Sequence, residues 1–378
     1  MNSSNNLSII EDAKSFANKE IRPFASDFEE KEVLPKDLIK KMALKGYLAA
    51  PFPKEFGGLG LDPITYGLLT EEIGKACCST RALLTVNTSL VGETILRWGT
   101  KEQKDKWLLK IAKGEKIGAF GLSEPKVGTD AKSVQTCYKK NGSDFILNGK
   151  KKWISFGDIA DFFIIIASDQ KERTAFIVER DREGLSTLPI KGLLAGKASH
   201  IAEVELVNVK IPHQNILGKI GNGFSLIVNS ALDNGRYSIA WAGLAIAQEA
   251  LDAMVTYSRR REQFGQRIYN FQLLQGMIGD SVTKIHAARA LCLRAGKMRN
   301  ENHHDSVIET TIAKYFTSKI ANEIASDAVQ IHGGNGCYNE YPVERLFREA
   351  KILEIIEGTS QIQQEIIAKY GLRAYYKS

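Results

Sequence analysis

The sequence predicts a mainly α protein with a central β-domain: an N-terminal helical domain, an antiparallel β-barrel or sandwich, and a C-terminal four-helix bundle. Three observations carry this. Apolar residues recur at helical spacing in the first and last parts of the chain. Between them lie short apolar or alternating runs separated by turn dipeptides. No helix-length segment interrupts those runs, which argues against a Rossmann alternation. The boundaries read as residues 1–115, 116–220 and 221–378.

Taken in order, helical spacing covers Leu7–Phe28 and Leu38–Leu48. Pro51-Phe52-Pro53 and Gly57-Gly58-Leu59-Gly60 then break the pattern as a loop. The spacing resumes over Ile64–Gly74 and Arg81–Trp98. Gly99-Thr100 ends that helix, and Thr100 with Gln103 has the spacing of a capping box for the next. The runs Ile117–Leu122, Phe145–Leu147, Phe162–Ala167, Thr174–Val178 and Glu203–Val209 read as strands, with Asn141-Gly142 and Asn148-Gly149 as turns. After Asn222 come four long amphipathic segments, Phe224–Arg261, Gln272–Glu301, Asp305–His332 and Gln361–Tyr370, enough for a bundle with short connections.

The chain has 378 residues, 43% of them hydrophobic, and a mean hydropathy of −0.20. That suits two or three globular domains with a real core. The net charge is +7, but Lys and Arg are spread through amphipathic segments, so the excess is no nucleic-acid arm. A mildly basic surface favours an anionic partner such as CoA or a phosphopantetheine carrier. The five cysteines include no C-x-x-C pair, and Cys77-Cys78 are adjacent. This predicts reduced thiols and a cytoplasmic location, and no residue is assigned to a metal. Met1-Asn2-Ser3-Ser4 leads into an acidic amphipathic helix, which is no signal peptide. Apolar runs such as Phe162–Ala167 are too short for membrane insertion.

Four constellations and a closing stretch bear chemistry. In Phe120-Gly121-Leu122-Ser123-Glu124-Pro125-Lys126-Val127-Gly128-Thr129-Asp130 a strand runs into a polar loop. Its backbone can line a planar ligand, or simply connect a hairpin. In Trp153-Ile154-Ser155 the Trp either covers an aromatic cofactor, with Ser155 donating to it, or fills the core. The Arg259-Arg260-Arg261 cluster suits a pyrophosphate or a solvated helix end. Gln330-Ile331-His332-Gly333-Gly334-Asn335-Gly336 is glycine-rich but lacks G-x-G-x-x-G spacing, and a helix C-terminus is the bland account.

The closing stretch is Ile355-Ile356-Glu357-Gly358-Thr359-Ser360-Gln361-Ile362-Gln363. Glu357 has apolar neighbours and precedes a glycine. It fits a general base with a raised pKa, or an acidic residue before a helix that Ser360 and Gln363 cap as S-x-x-Q.

In their joint order these motifs, with E-G-T-S-Q-I-Q, resemble the acyl-CoA dehydrogenase family from about Phe16 to Tyr370. The resemblance implies FAD. By position it places Phe120, Leu122, Ser123, Gly128 and Thr129 on a flavin-lining loop, with Thr129 also toward substrate. Trp153, Ile154 and Ser155 match the strand covering the flavin. Arg261, Gln272, Gln330, His332, Gly333 and Gly334 match residues reaching the FAD of a neighbouring subunit. Thr359 and Gln361 match contacts to the chain's own FAD. Each FAD site is then built by two chains, so a homo-oligomer (dimer or tetramer) is implied. The family has Gly or Asn at Lys126, Ser at Thr129, Thr at Ser155 and Tyr at Ile356.

The family's catalytic Glu stands either in the closing motif or in the segment that reads Leu232-Asp233-Asn234-Gly235-Arg236 here. Gly235 cannot take a proton, so Glu357 has no rival. Asp233 and Arg236 look like a supporting pair near the substrate, with Gly358. The implied reaction is dehydrogenation of an acyl thioester. Glu357 takes the α-proton, its N–H and a ribityl hydroxyl hold the carbonyl oxygen, and hydride goes to flavin N5. Stretches such as Gly235–Trp241, Arg261–Gly265, Gly196–Glu203 and Leu353–Gly358 look closer to members acting on short polar groups tethered to an acyl carrier protein in polyketide extender-unit pathways. A carrier-bound substrate is therefore expected, ahead of a CoA ester whose electrons pass to an electron-transfer flavoprotein, or an acyl-thioester oxidase.

Overall fold

The computed structural model describes residues 3–376. It opens with seven α-helices: α1 (Ser3–Phe16), α2 (Ala25–Lys31), α3 (Lys36–Leu44), α4 (Pro63–Ala76), α5 (Cys78–Leu83), α6 (Glu93–Trp98) and α7 (Lys101–Ala112). Local chemistry sets their starts. Asp62 accepts from the N–H groups of Ile64 and Thr65, with Pro63 in the first turn of α4. Thr100 and Gln103 form the predicted capping box of α7. The stretch Arg81–Trp98 is not one regular helix. Wider π-helical turns over Leu84–Gly92 join α5 to α6, and every residue of them is buried.

Eight strands follow: β1 (Gly118–Gly121), β2 (Cys137–Asn141), β3 (Asp144–Ile154), β4 (Phe162–Ser168), β5 (Arg173–Glu179), β6 (Leu185–Pro189), β7 (Ala202–Ile211) and β8 (Ile216–Leu217). They form one sheet in the order β6-β7-β3-β2-β4-β5-β8, with β1 on β4. The expectation of a purely antiparallel domain needs correcting. β1 runs parallel to β4 over Gly118–Gly121, and Cys137 pairs Ser168 in parallel. The physical reason lies in β4, whose seven residues are all buried. Phe162, Ile164 and Ile166 face the helices, while Phe163, Ile165 and Ala167 face the β-domain core. A strand covered on both faces tolerates parallel neighbours.

Asn148-Gly149 is also not a turn. It lies inside β3, where the register with β7 shifts. Gly149 has φ +152°, and a Cβ there would come 2.6 Å from Thr136 Cα, so the glycine serves close strand approach. The hairpin turn is at Gly142, with φ +64°.

The last region holds α8 (Asn229–Arg260), α9 (Gln272–Asn300), α10 (Ser306–His332), α11 (Val343–Leu353) and α12 (Ser360–Ala374). The fifth helix, α11, was not among the four expected segments. It is short, and half its residues are buried. α10 sits at the centre, packed on α8, α9, α11 and α12.

Candidate active site

α11 ends at Leu353, and the chain turns through Ile355 and Ile356 into two successive left-handed residues, Glu357 (φ 55°) and Gly358 (φ 90°). A left-handed glutamate costs roughly 1–2 kcal/mol, so the surroundings must hold it. Four hydrogen bonds on two carbonyl oxygens do so. Arg236 Nε donates to Glu357 O at 3.1 Å, and Gln363 Nε2 donates to Glu357 O at 3.2 Å and Gly358 O at 3.0 Å. Lys314 Nζ donates to Gly358 O at 2.8 Å. Ser360 therefore does not form the expected capping box. Thr359 is the N-cap, accepting from Ile362 N–H, and Gln363 is committed to the turn.

The Glu357 carboxyl packs against Gly235 and Leu90. A Cβ at position 235 would fall 2.5 Å from Oε2 and 2.9 Å from Leu90 Cδ2. Oε2 is buried and has no hydrogen-bond partner among the described residues. Burial pushes the carboxyl from the ordinary 4.5 up to about 7, against the opposing pull of the Arg236 and Lys314 charges. The Glu357 backbone N–H likewise meets no acceptor among the described residues. Buried polar atoms are nearly always satisfied. Here an acceptor and a donor lie open on one residue.

Asp233 and Arg236, expected as a supporting pair near the substrate, do not bond one another. Asp233 Oδ2 accepts from Arg299 Nη1 at 2.6 Å, while Arg236 turns to the Glu357 carbonyl. Each finds a better partner across the bundle than its neighbour along α8. Asp233 faces a different cavity, of about 530 Å³, with Glu93 and Arg299.

The polar loop after β1 is fixed from below. Lys151 Nζ reaches Glu124 Oε1 at 2.7 Å and Leu122 O at 3.1 Å, and both side chains are buried. Glu124 also accepts from the N–H groups of Gln135 and Thr136. Burial alone would raise its pKa, but Lys151 and these donors hold it below the ordinary value. Lys152 N–H bonds Ser123 O at 2.9 Å, so the loop is tied to β3. Phe120 is buried, Leu122 and Ser123 are half-buried, and Gly128 and Thr129 are exposed. Trp153, with φ 65°, leaves 52% of its surface exposed, and Ser155 follows it half-buried. The Ile154 side chain points into the β-domain core, so only its backbone is free to meet a ligand.

A second region lies at the far ends of α8 and α10. Arg261, Gln272, His332, Gly333 and Gly334 line a cavity of about 1030 Å³, with Tyr257, Phe264 and Asn335. His332 stacks on Tyr257 at 4.1 Å and Nδ1 meets Ala328 O at 2.7 Å. Burial lowers its pKa, keeping the ring neutral at pH 7. Gln330 is exposed and lies outside this lining. No residue of the Glu357 region lines it either. From Lys314 to His332, α10 rises about 27 Å at roughly 1.5 Å per residue.

Sequence motifs missed Lys314, Lys151 and Leu90. The first two are lysines at helical or alternating positions, which ordinarily read as solvated faces.

Residues 3–115, 119–209 and 221–372 match the N-terminal, middle and C-terminal domains of acyl-CoA dehydrogenase. The short-chain-specific acyl-CoA dehydrogenase of Clostridium acetobutylicum is 38% identical over 360 residues, covering 94% of each chain. Butyryl-CoA dehydrogenase from Megasphaera elsdenii superposes with a TM-score of 0.95 at 34% identity, over 99% of each chain. So does a chain from the structure of the electron transferring flavoprotein of Acidaminococcus fermentans, at 0.95 and 39%, again over 99% of each. The prolyl acyl carrier protein oxidase AnaB is more distant, with a TM-score of 0.92 and 27% identity over 98% of this chain and 99% of its own. With all three domains matched and more than nine-tenths of its length shared with such relatives, the chain belongs to the acyl-CoA dehydrogenase family of FAD-dependent oxidoreductases.

Proposed function

We propose that the protein oxidises a short-chain acyl-CoA between Cα and Cβ, with Glu357 as base. One observation carries the reading: a buried carboxylate oxygen without a partner among the described residues, on a residue whose own N–H also meets no acceptor among them. A thioester placed against Gly235 would offer its α-proton to Oε2. Its carbonyl oxygen would accept from the Glu357 N–H, which stabilises the charge that develops as the proton leaves. Leu90 packs beside the contact with Gly235, and burial raises the carboxyl to about 7, so it is a strong enough base near neutral pH.

The chain's residues fit FAD in two places. The Phe120–Thr129 loop, Trp153 and Ser155 offer backbone groups, a hydroxyl and an exposed indole to a planar ring system, with Thr359 and Gln361 nearby in sequence to the base. Arg261, Gln272 and the His332-Gly333-Gly334 turn offer a cation and close backbone approach to a dinucleotide. When bound, FAD supplies the hydride acceptor. Lys314, under the Glu357 turn, and His332, in the dinucleotide cavity, stand about 27 Å apart along α10 at roughly 1.5 Å per residue, which supports two different FAD sites, each completed by a second copy of the chain. Phe264 and Leu273, 94% and 84% exposed beside the dinucleotide cavity, support a partner surface there.

The relatives favour a CoA ester over the carrier-bound polar group expected from sequence, and the flavoprotein structure favours an electron-transfer flavoprotein as acceptor. The likeness to AnaB keeps the carrier protein as a second reading. Anaerobic bleaching of the bound flavin separates them. Butyryl-CoA should bleach it faster than octanoyl-CoA. Bleaching by butyryl on a carrier protein alone would reverse the assignment, and stoichiometric peroxide in air would make the protein an oxidase.

A further inference from the structure

Lys314 lies in the middle of α10 and is fully buried, yet it forms no ion pair with a carboxylate among the described residues. Its ammonium has one acceptor there, the Gly358 carbonyl at 2.8 Å. Burying an ammonium costs several kcal/mol unless something compensates it, and Ala313 and Thr317 beside it show that the helix packs here without charge. The compensation must come from the turn. Among the described residues none hydrogen-bonds the Glu357 carboxyl, so its direction is set by its backbone, held in the left-handed region. Arg236 grips the Glu357 carbonyl from α8 and Gln363 grips both carbonyls from α12. Among the described residues, Lys314 is the one α10 side chain that bonds a carbonyl of the Glu357-Gly358 pair.

We propose that Lys314 is a positioning residue for this enzyme: anchored on the Gly358 carbonyl, it fixes the turn that aims Glu357 at the bound thioester and places a cation one residue from that carboxyl. The inference rests on Glu357 being the base. The charged groups facing Lys314 are Glu357 and Glu354, which favour its cation, and Arg236, which opposes it. Those facing Glu357 are Arg236 and Lys314, both favouring the carboxylate. Burial brings Lys314 down to about 8, so it still carries its charge where Glu357 titrates.

The test compares Lys314→Met with Lys314→Gln in the FAD-loaded enzyme, using butyryl-CoA. Lys314→Met removes both bond and charge. It should keep its flavin and its KM within about threefold, and lose kcat by roughly 10- to 100-fold, the scale of a misplaced reacting group. The rising limb of kcat against pH should also move up by about one unit, because a nearby cation is gone. Lys314→Gln keeps a donor for Gly358, so kcat should largely recover while the limb stays displaced. A structural lysine would behave otherwise: melting temperature and flavin content fall, with kcat per bound flavin and the limb unchanged. That result overturns the proposal. If Lys314→Met does not fold, Lys314→Gln carries the test through the same limb, and an undisplaced limb is fatal. Glu357→Gln separates the two ideas. Wild-type turnover there refutes the base, whereas lost turnover there with an unaltered Lys314→Met refutes only the role of Lys314.

Discussion

On the proposed reading, a carboxylate beside a glycine, Glu357 against Gly235, is the smallest unit on which activity depends. Glu357→Gln keeps the shape of the side chain but cannot accept a proton. It should retain FAD and lose at least ~10³-fold in turnover, read as the rate of flavin bleaching by butyryl-CoA. The pH dependence has a definite sign. The carboxyl titrates near 7 because burial disfavours its charge, and only the ionised form is a base. The bleaching rate should therefore climb as pH rises through about 7 and level off above it, in stopped-flow traces. Gly235→Ala tests the contact itself. The new Cβ would meet the flexible end of Glu357 and the Leu90 side chain, which yield without unfolding the protein. Stability should change little, while turnover falls at least about tenfold. Glu357 could be proposed as the base from the sequence because Gly235 occupies the other place where the family puts its base. Lys314 and Lys151 were not, since nothing local tells a buried lysine from a solvated one. Nor was the parting of Asp233 from Arg236, because both partners come from distant segments.

At the scale of elements, the loop after β1 and the strand β3 act as one piece through Glu124 and Lys151. Lys151→Met would leave a buried carboxylate without its cation, at a cost of about 3–5 kcal/mol. The variant should melt markedly lower and purify with less flavin, whereas Lys152→Met, on a partly exposed side chain, should do neither. The element pattern itself was largely legible. Helices with caps, such as α7, and strands with long apolar runs, such as β4, declare themselves locally. What escaped depends on tertiary contact. The π-helical turns at Leu84–Gly92 exist to bury nine consecutive residues, β1 lies parallel because β4 is covered on both sides, and Gly149 marks close strands rather than a turn. α11 was hidden by its length, lying between the glycine-rich turn and the base.

For the whole molecule, the order of helical, β and helical regions followed from periodicity, while the cofactor and the proposal of a shared site came from family resemblance. The proposed sharing has a structural counterpart: one helix, α10, carries Lys314 under the Glu357 turn and His332 in the dinucleotide cavity, about 27 Å apart at roughly 1.5 Å per residue. On this reading Arg261→Glu repels the pyrophosphate and should purify colourless, although its Glu357 turn is intact. That separation has a genetic consequence. Two inactive variants, Glu357→Gln and Arg261→Glu, should rescue one another when co-expressed. A mixed pair combines the sound base of one chain with the sound dinucleotide half of the other, giving one intact centre and one doubly broken. Yellow, active heterodimers isolated with two affinity tags would demonstrate such complementation, and inactive ones would show that each chain builds its centre alone.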